Sequence, residues 1–285
     1  MTAVAAGFGG TDGEAGAEGG RSVVAAFYPL AFAAEAVGGE AVEVTNVTPP
    51  GAEPHDVELS ARDVERVRSS DLVLYLGAGF QPALERVVAG ADVEALDLLD
   101  GLDLREGGDE HGHEEEGEQG LDPHVWLDPL RYAEIAERIG RALGRPEAAT
   151  AFAERLRMLD EEFRQGLASC ERRQIVTSHA AFGYLAARYG LEQIAITGLA
   201  PEAEPSPRDL EHVVEEVREH GATTVFFETL VSPRLAETVA RESGAQTAVL
   251  DPLEGLTREQ LEAGEDYFSI MRENLAALRA ALGCT

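Results

Sequence analysis

The chain is predicted to be an α/β protein of two lobes. Each lobe holds a mainly parallel sheet flanked by helices, and one long helix joins them. Three observations point there. Short apolar runs alternate with helix-patterned runs from residue 22 to residue 98 and again from residue 174 to residue 250, as βα repeats do. Between these blocks, residues 129–169 carry apolar positions at helical spacing. The expected divisions are a tether over 1–20, an N-terminal lobe over 21–127, a connecting helix over 128–169 and a C-terminal lobe over 170–285.

Residues 1–20 are rich in Gly and Ala and lack a packable pattern, so they are expected to be a flexible tether. Ala5-Ala6-Gly7 before Phe8 looks like the end of a lipoprotein signal, with Phe where the lipidated cysteine belongs; no basic or apolar segment precedes it. Ser22–Tyr28 reads as a strand, Leu30–Val37 as an alanine-rich helix and Ala41–Val47 as a strand. Ser60 is suited to cap a helix over Ala61–Arg68. Asp71–Leu76, Pro82–Val88 and Val93–Leu98 continue as strand, helix and strand.

Asp100–Asp122 has no apolar periodicity and contains GGDEHGHEEEGEQG, an acidic, histidine-bearing loop. From Pro129 to about Ser169 the pattern is helical, with Gly144-Arg145-Pro146 expected to kink or interrupt it. Uninterrupted, such a helix would span about 60 Å. Strands then follow at Gln174–Thr177, Gln193–Thr197, Thr224–Glu228 and Gln246–Leu250, alternating with helices at Ala180–Tyr189, Arg208–His220 and Pro233–Glu242. A long final helix is expected over Arg258–Leu282. The two halves read as alike in architecture but not in residues.

The 285 residues are 44% hydrophobic and carry 53 acidic against 23 basic side chains, a formal charge of −30; every basic residue is arginine. That balance disfavours nucleic acid and anionic membrane surfaces as partners. Two cysteines, Cys170 and Cys284, are too few for a disulfide scaffold. One bridge or two free thiols are equally open from the sequence. No apolar run is long enough to span a bilayer.

Three isolated histidines stand at strand ends or in the loops beyond them: His55 in PGAEPHDVELS, His124 in DPHVWLDP and His179 in VTSHAAFGYL. Asp251 in VLDPLEGL follows a strand in the same way. In open α/β sheets ligands gather beyond the carboxyl ends of the strands. Two such residues per lobe would hold one divalent metal in the cleft between lobes. Four protein ligands leave no position for a nucleophilic water, which argues for binding over catalysis. Glu228, at a strand end, is the candidate acceptor for the outer nitrogen of a ligating imidazole. Asp128 reads as a helix cap, His212 and His220 as surface residues, and Trp126 and Tyr132 as packing residues.

These segments resemble, in order and spacing, the metal-binding motifs of the zinc and manganese substrate-binding lipoproteins of ABC importers, and FFETLVSPRLAETVARESG is similar to another segment of that family. The resemblance covers nearly all of the chain after residue 20. It implies two lobes joined by a long helix, with His55, His124, His179 and Asp251 as ligands. Histidine at the third position, His179, implies Zn²⁺ rather than Mn²⁺, in line with imidazole's preference for the softer ion. His111 and His113 fall where zinc-type members carry a histidine-rich loop, and are the candidates for a weaker secondary site. The expected protein is a monomeric, extracytoplasmic, zinc-binding partner of an ABC permease, lipid-anchored in its native form. A manganese or iron carrier, a zinc hydrolase with Glu228 as base, and a metal-stabilised adhesin are the alternatives.

Overall fold

The computed structural model describes residues 20–107 and 120–285. The expected tether, apart from Gly20, and His111 and His113 lie outside the described residues.

Four parallel strands form the first sheet: β1 (Arg21–Ala25), β2 (Val42–Asn46), β3 (Leu72–Tyr75) and β4 (Ala95–Asp97), in the order β2-β1-β3-β4. The second sheet repeats that topology with β5 (Gln174–Thr177), β6 (Glu192–Ala195), β7 (Thr224–Phe227) and β8 (Gln246–Val249), in the order β6-β5-β7-β8. Every pairing is parallel. Helices α1 (Tyr28–Gly38), α2 (Ala61–Ser69) and α3 (Pro82–Ala89) make the crossovers of the first sheet. Those of the second are α6 (Gly183–Tyr189), α7 (Pro207–Glu219) and α8 (Arg234–Ser243). The two-lobed α/β architecture is therefore as expected. The central strands β1, β3, β5 and β7 hold unbroken apolar runs at Val23–Ala25, Leu72–Tyr75, Ile175–Val176 and Val225–Phe227, as parallel strands between flanking helices do.

The helical stretch after Asp128 is not one rod. It divides into α4 (Pro129–Ala142) and α5 (Pro146–Gly166). Gly144 sits at φ 67°, a left-handed turn that ends α4, and Pro146 opens α5 at a position where its missing N–H costs nothing. The two helices fold against each other: a Cβ on Gly140 would come within 2.3 Å of the Ala149 Cβ, so glycine is what allows their approach. The linking helix is thus α5 alone. Its 21 residues reach about 31 Å. Phe152 packs edge-on against Phe32 of α1, while Phe163 stacks on Tyr189 of α6, so α5 touches both lobes. The final helix also divides, into α9 (Arg258–Ala263) and α10 (Tyr267–Leu282). Gly264 at φ 77° ends the first and Asp266 caps the second through the N–H groups of Phe268 and Ser269.

One apolar core runs from Val23 through Trp126 and Phe163 to Leu282, crossing both lobes. Buried hydrogen bonds cross with it. The Trp126 indole N–H donates to Pro252 O at 2.7 Å, and the Tyr267 hydroxyl donates to Trp126 O at 2.7 Å. Arg188 of α6 meets Asp160 of α5 at 2.6 Å and Asp128, the cap of α4, at 3.2 Å. Cys170, just after α5, is bonded to Cys284, just after α10.

Candidate metal centre

Each lobe delivers its ligand groups from loops at the carboxyl ends of its strands. His55 lies in the loop between β2 and α2. That loop is tied to the end of β1: the Gln81 amide donates to Pro54 O at 3.1 Å and to Thr48 Oγ1 at 3.0 Å, and Thr48 Oγ1 donates to Ala26 O at 2.7 Å. The His55 ring rests edge-on against Phe80 at 4.5 Å.

His124 opens a single 3₁₀ turn ahead of α4. Asp122 Oδ1 accepts both its backbone N–H, at 2.9 Å, and its ring Nδ1, at 2.8 Å. His179 follows β5; its carbonyl accepts from Thr177 Oγ1 at 2.8 Å and Gln193 Nε2 at 3.0 Å. Its Nδ1 lies 2.6 Å from Glu228 Oε1, at the end of β7. With Nδ1 of both rings turned to a carboxylate, the hydrogen belongs on Nδ1 in the neutral ring and the Nε2 lone pair faces inward.

The cluster these rings form has a different fourth member from the one expected. His55, His124, His179 and Glu254 each offer an atom within 4.8 Å of every other. Glu254 Oε1 stands 3.4 Å from His55 Nε2, 3.2 Å from His124 Nε2 and 3.2 Å from His179 Nε2, and the two last nitrogens are 3.4 Å apart. Asp251 is held elsewhere. Its Oδ2 accepts from Thr229 Oγ1 at 3.0 Å and Gln260 Nε2 at 3.1 Å, and its Oδ1 accepts from Leu253 N at 2.8 Å. Its backbone pairs both ways with the Asn274 amide, at 2.8 and 2.7 Å. Asp251 thereby builds the turn that puts Leu253 at φ 58°, a strained value for leucine, and turns Glu254 toward the histidines. Glu254, Asp122 and Glu53 were not singled out from the sequence. The signal for Glu254 was its place three residues past Asp251 in the same motif.

Burial sets the electrostatics. His124, His179 and Glu254 are fully enclosed, while the His55 side chain keeps 10% exposure. Desolvation would lower the pKa of His179, but the flanking Glu228 and Glu254 carboxylates outweigh it and raise the group well above 6.5. Burial opposes a proton on His124 too, and there the hydrogen bonds to Asp122 and Glu254 prevail and raise it. His55, with one such partner, stays lowered by burial. Glu254 is likewise disfavoured as an anion by burial, yet His179 and the other two imidazoles hold its pKa well below the usual carboxylate range. Glu53, whose Oε1 accepts the His55 N–H at 3.1 Å, is pushed up to about 9, first by burial and then by Glu254. Glu254 Oε2 and Glu228 Oε2 are buried with no hydrogen-bond partner.

Three inward nitrogens and one carboxylate oxygen are a borderline-metal donor set. Bonds of about 2.0–2.1 Å in a tetrahedron put ligand atoms about 3.3–3.4 Å apart. Four of the six separations run from 3.2 to 3.4 Å, and all four ligand atoms lie within 4.8 Å of one another, so the cluster has the spacing for an ion of zinc's size.

Comparison with known proteins agrees with this chemistry. The family described as "Zinc-uptake complex component A periplasmic" matches residues 23–281. The zinc-binding lipoprotein AdcA of Streptococcus pneumoniae is 36% identical over 280 residues, covering 92% of this chain and 56% of its own length. This chain thus spans about half of that relative. The high-affinity zinc uptake system protein ZnuA of Bacillus subtilis is 32% identical over 301 residues, covering 99% and 94% of the two chains. Among solved structures, the Zn(II)-bound ZnuA-like domain of S. pneumoniae AdcA aligns at a TM-score of 0.77 with 34% identity, over 93% of this chain and 99% of that one. The laminin binding protein Lmb of Streptococcus agalactiae, described as having adhesin and metal transporting activity, aligns at 0.82 with 31% identity, over 92% and 99%. The chain belongs to the zinc-uptake complex component A family.

Proposed function

We propose that this protein captures one Zn²⁺ between its lobes, on His55, His124, His179 and Glu254, and delivers it to an ABC permease. The observation that carries the reading is the convergence of three imidazole nitrogens and one carboxylate oxygen within 4.8 Å of one another, four of their separations being 3.2–3.4 Å, the edge length of a zinc tetrahedron. Asp122 and Glu228 would fix the tautomer and aim of two imidazoles, which raises their basicity toward the ion. The ion would compete with a proton, because the flanking Glu228 and Glu254 carboxylates outweigh burial and raise the His179 pKa well above 6.5. With four protein ligands no coordination position is left for an attacking water, so the site suits carriage rather than hydrolysis.

Three imidazoles favour zinc over manganese, which prefers oxygen donors. His55, the one partly exposed ligand, stands where the ion would arrive and leave. The Cys170–Cys284 bond fits an oxidising, extracytoplasmic setting. The test is calorimetry of metal-stripped protein with Zn²⁺ and then Mn²⁺. One zinc per chain, displaced poorly by equimolar manganese and lost in His179→Ala, is expected. Undiminished zinc affinity in that variant would reject the site.

A further inference from the structure

A cavity of about 260 Å³ shares a wall with the metal centre. It is bounded by Arg105–Gly107, Asp122, α6 and β6. Two of its lining residues also hold the buried imidazoles in place. Asp122 Oδ1 accepts from the His124 ring, and Gln193 Nε2 donates to the His179 carbonyl. Asp122 is 3% exposed, yet its Oδ2 has no hydrogen-bond partner among the described residues. A carboxylate oxygen so enclosed calls for a donor.

Gly183 shows where that oxygen points. The position a Cβ on Gly183 would take lies 2.9 Å from Asp122 Oδ2, 3.9 Å from Gln193 Oε1 and 3.6 Å from Arg105 Nε, and all four residues line the cavity. Gly183 has an ordinary helical φ of −57°, so the backbone does not require glycine there. The missing side chain leaves room where two acceptors and one guanidinium meet. Arg105 is exposed and has no ion-pair partner among the described residues. Glu106 and Glu192 complete the charged lining, the latter accepting from the Gln174 amide at 2.6 Å. Ala180, Ala186, Leu191 and Leu199 form the apolar part. A simple anion would meet the carboxylates of Asp122, Glu106 and Glu192. A simple amine on Asp122 would sit beside the Arg105 guanidinium. A molecule carrying both charges answers both, and the volume, under the roughly 300–1,000 Å³ of drug-sized sites, calls for a small one.

We propose that this cavity binds a small zwitterion of the α-amino acid class. Its ammonium would donate to Asp122 Oδ2 and Gln193 Oε1, its carboxylate would pair with Arg105, and an apolar side chain would lie on the alanine and leucine wall. An ammonium on Oδ2 draws the Asp122 charge away from the His124 ring and makes that imidazole a poorer donor to an ion. The amino acid and zinc therefore oppose each other, by the same factor seen from either side. That coupling rests on the zinc reading proposed above; the binding of the amino acid does not.

The test is amide NMR of isotope-labelled, metal-free protein titrated with L-leucine, with isopentylamine, which is leucine without its carboxylate, and with isocaproate, which is leucine without its ammonium. Leucine should shift the Gly183 N–H and the Gln193 side-chain amide, saturating below about 10 mM. Each of the other probes lacks one charge-assisted contact and should bind about tenfold more weakly or worse. In Arg105→Ala, leucine should fall to the level of the amine while the amine binds at least as well as to the parent; a general disturbance of the fold would weaken both. In zinc-loaded protein, leucine should bind about fivefold more weakly or worse. No saturable shift with leucine, an amine or acid that binds as tightly, or an Arg105→Ala protein that still prefers leucine would overturn the binding site. Equal leucine affinity with and without zinc would overturn the coupling. If the parent protein binds no zinc, the zinc reading falls and the coupling with it, while leucine binding to the metal-free protein is decided separately.

Discussion

The Glu228→Gln variant probes how the protein, rather than the ion, sets affinity. Glu228 Oε1 lies 2.6 Å from His179 Nδ1, and the two side chains are 2% and 0% exposed. A hydrogen bond to a charged partner contributes about 1.5–3 kcal/mol and a neutral one about 0.5–1.5 kcal/mol. Glutamine keeps an oxygen at the acceptor position but removes the charge, so the zinc complex loses about 1–1.5 kcal/mol, roughly tenfold in Kd. That agrees with the 10–100-fold range of about 1.4–2.7 kcal/mol typical of groups that orient a metal-bound imidazole.

The loss should depend on pH, with a definite sign. Glu228 and Glu254 raise the His179 pKa well above 6.5 in the metal-free protein, and zinc must displace that proton. Removing the Glu228 charge weakens the ion's hold and the proton's hold together. At alkaline pH, where no proton competes, the full loss appears. As pH falls, easier proton displacement offsets it, so parent and variant converge. Chelator-competition titrations from about pH 6 to about pH 9 would follow this. The glutamine amide would also replace Oε2, which has no partner, and cost about 1–3 kcal/mol in both metal-free and zinc-bound protein, visible as a lowered melting midpoint in each. Unchanged affinity at the alkaline limit, or a deficit that grows toward acid, would refute the reasoning.

Glu254→Gln should weaken zinc binding by at least about a hundredfold, beyond what an orienting group contributes. Asp251→Asn should chiefly lower the melting midpoint, through about 1–3 kcal/mol of disturbed hydrogen bonding at its turn; calorimetry showing the larger affinity loss in the Asp251 variant would reverse the two roles. Metal-free protein should lose the stability that the His179 proton supplies as pH rises above 6.5 through the raised folded value, since below 6.5 both folded and unfolded forms carry it. In the same range, zinc binding near pH 7 should release on the order of one proton, read as the dependence of calorimetric heat on the buffer's ionisation enthalpy. Replacing both Cys170 and Cys284 by serine should destabilise the protein by up to about 5 kcal/mol on the loop-closure estimate for a separation of 114 residues, with zinc affinity unchanged. X-ray scattering of metal-free and zinc-loaded protein should give radii of gyration near 19 Å that differ by less than about 0.5 Å, because α5 and the shared core bind the lobes together.

What could be read from the sequence follows from how far each signal reaches along the chain. The βα alternation is local, and it places every strand within a few residues. His55, His124 and His179 are legible because a lone imidazole beyond a strand end is a chemically distinct mark at a topologically distinct place. The fourth ligand is not, for a reason visible in the turn. Asp251 and Glu254 are both carboxylates in one short motif, and the strand-end rule selects the first. The choice is made by Asn274, 23 residues further on, which pins both backbone groups of Asp251. It is made also by Trp126 of the other lobe, which donates to Pro252 O. No local pattern carries those contacts. The helical stretch shows the same limit. Gly144 and Pro146 mark a break, but whether the two segments kink or fold back depends on Gly140 and Ala149 meeting face to face. Cleft residues that answer to one lobe alone can be read directly, and those that answer to both lobes need the fold.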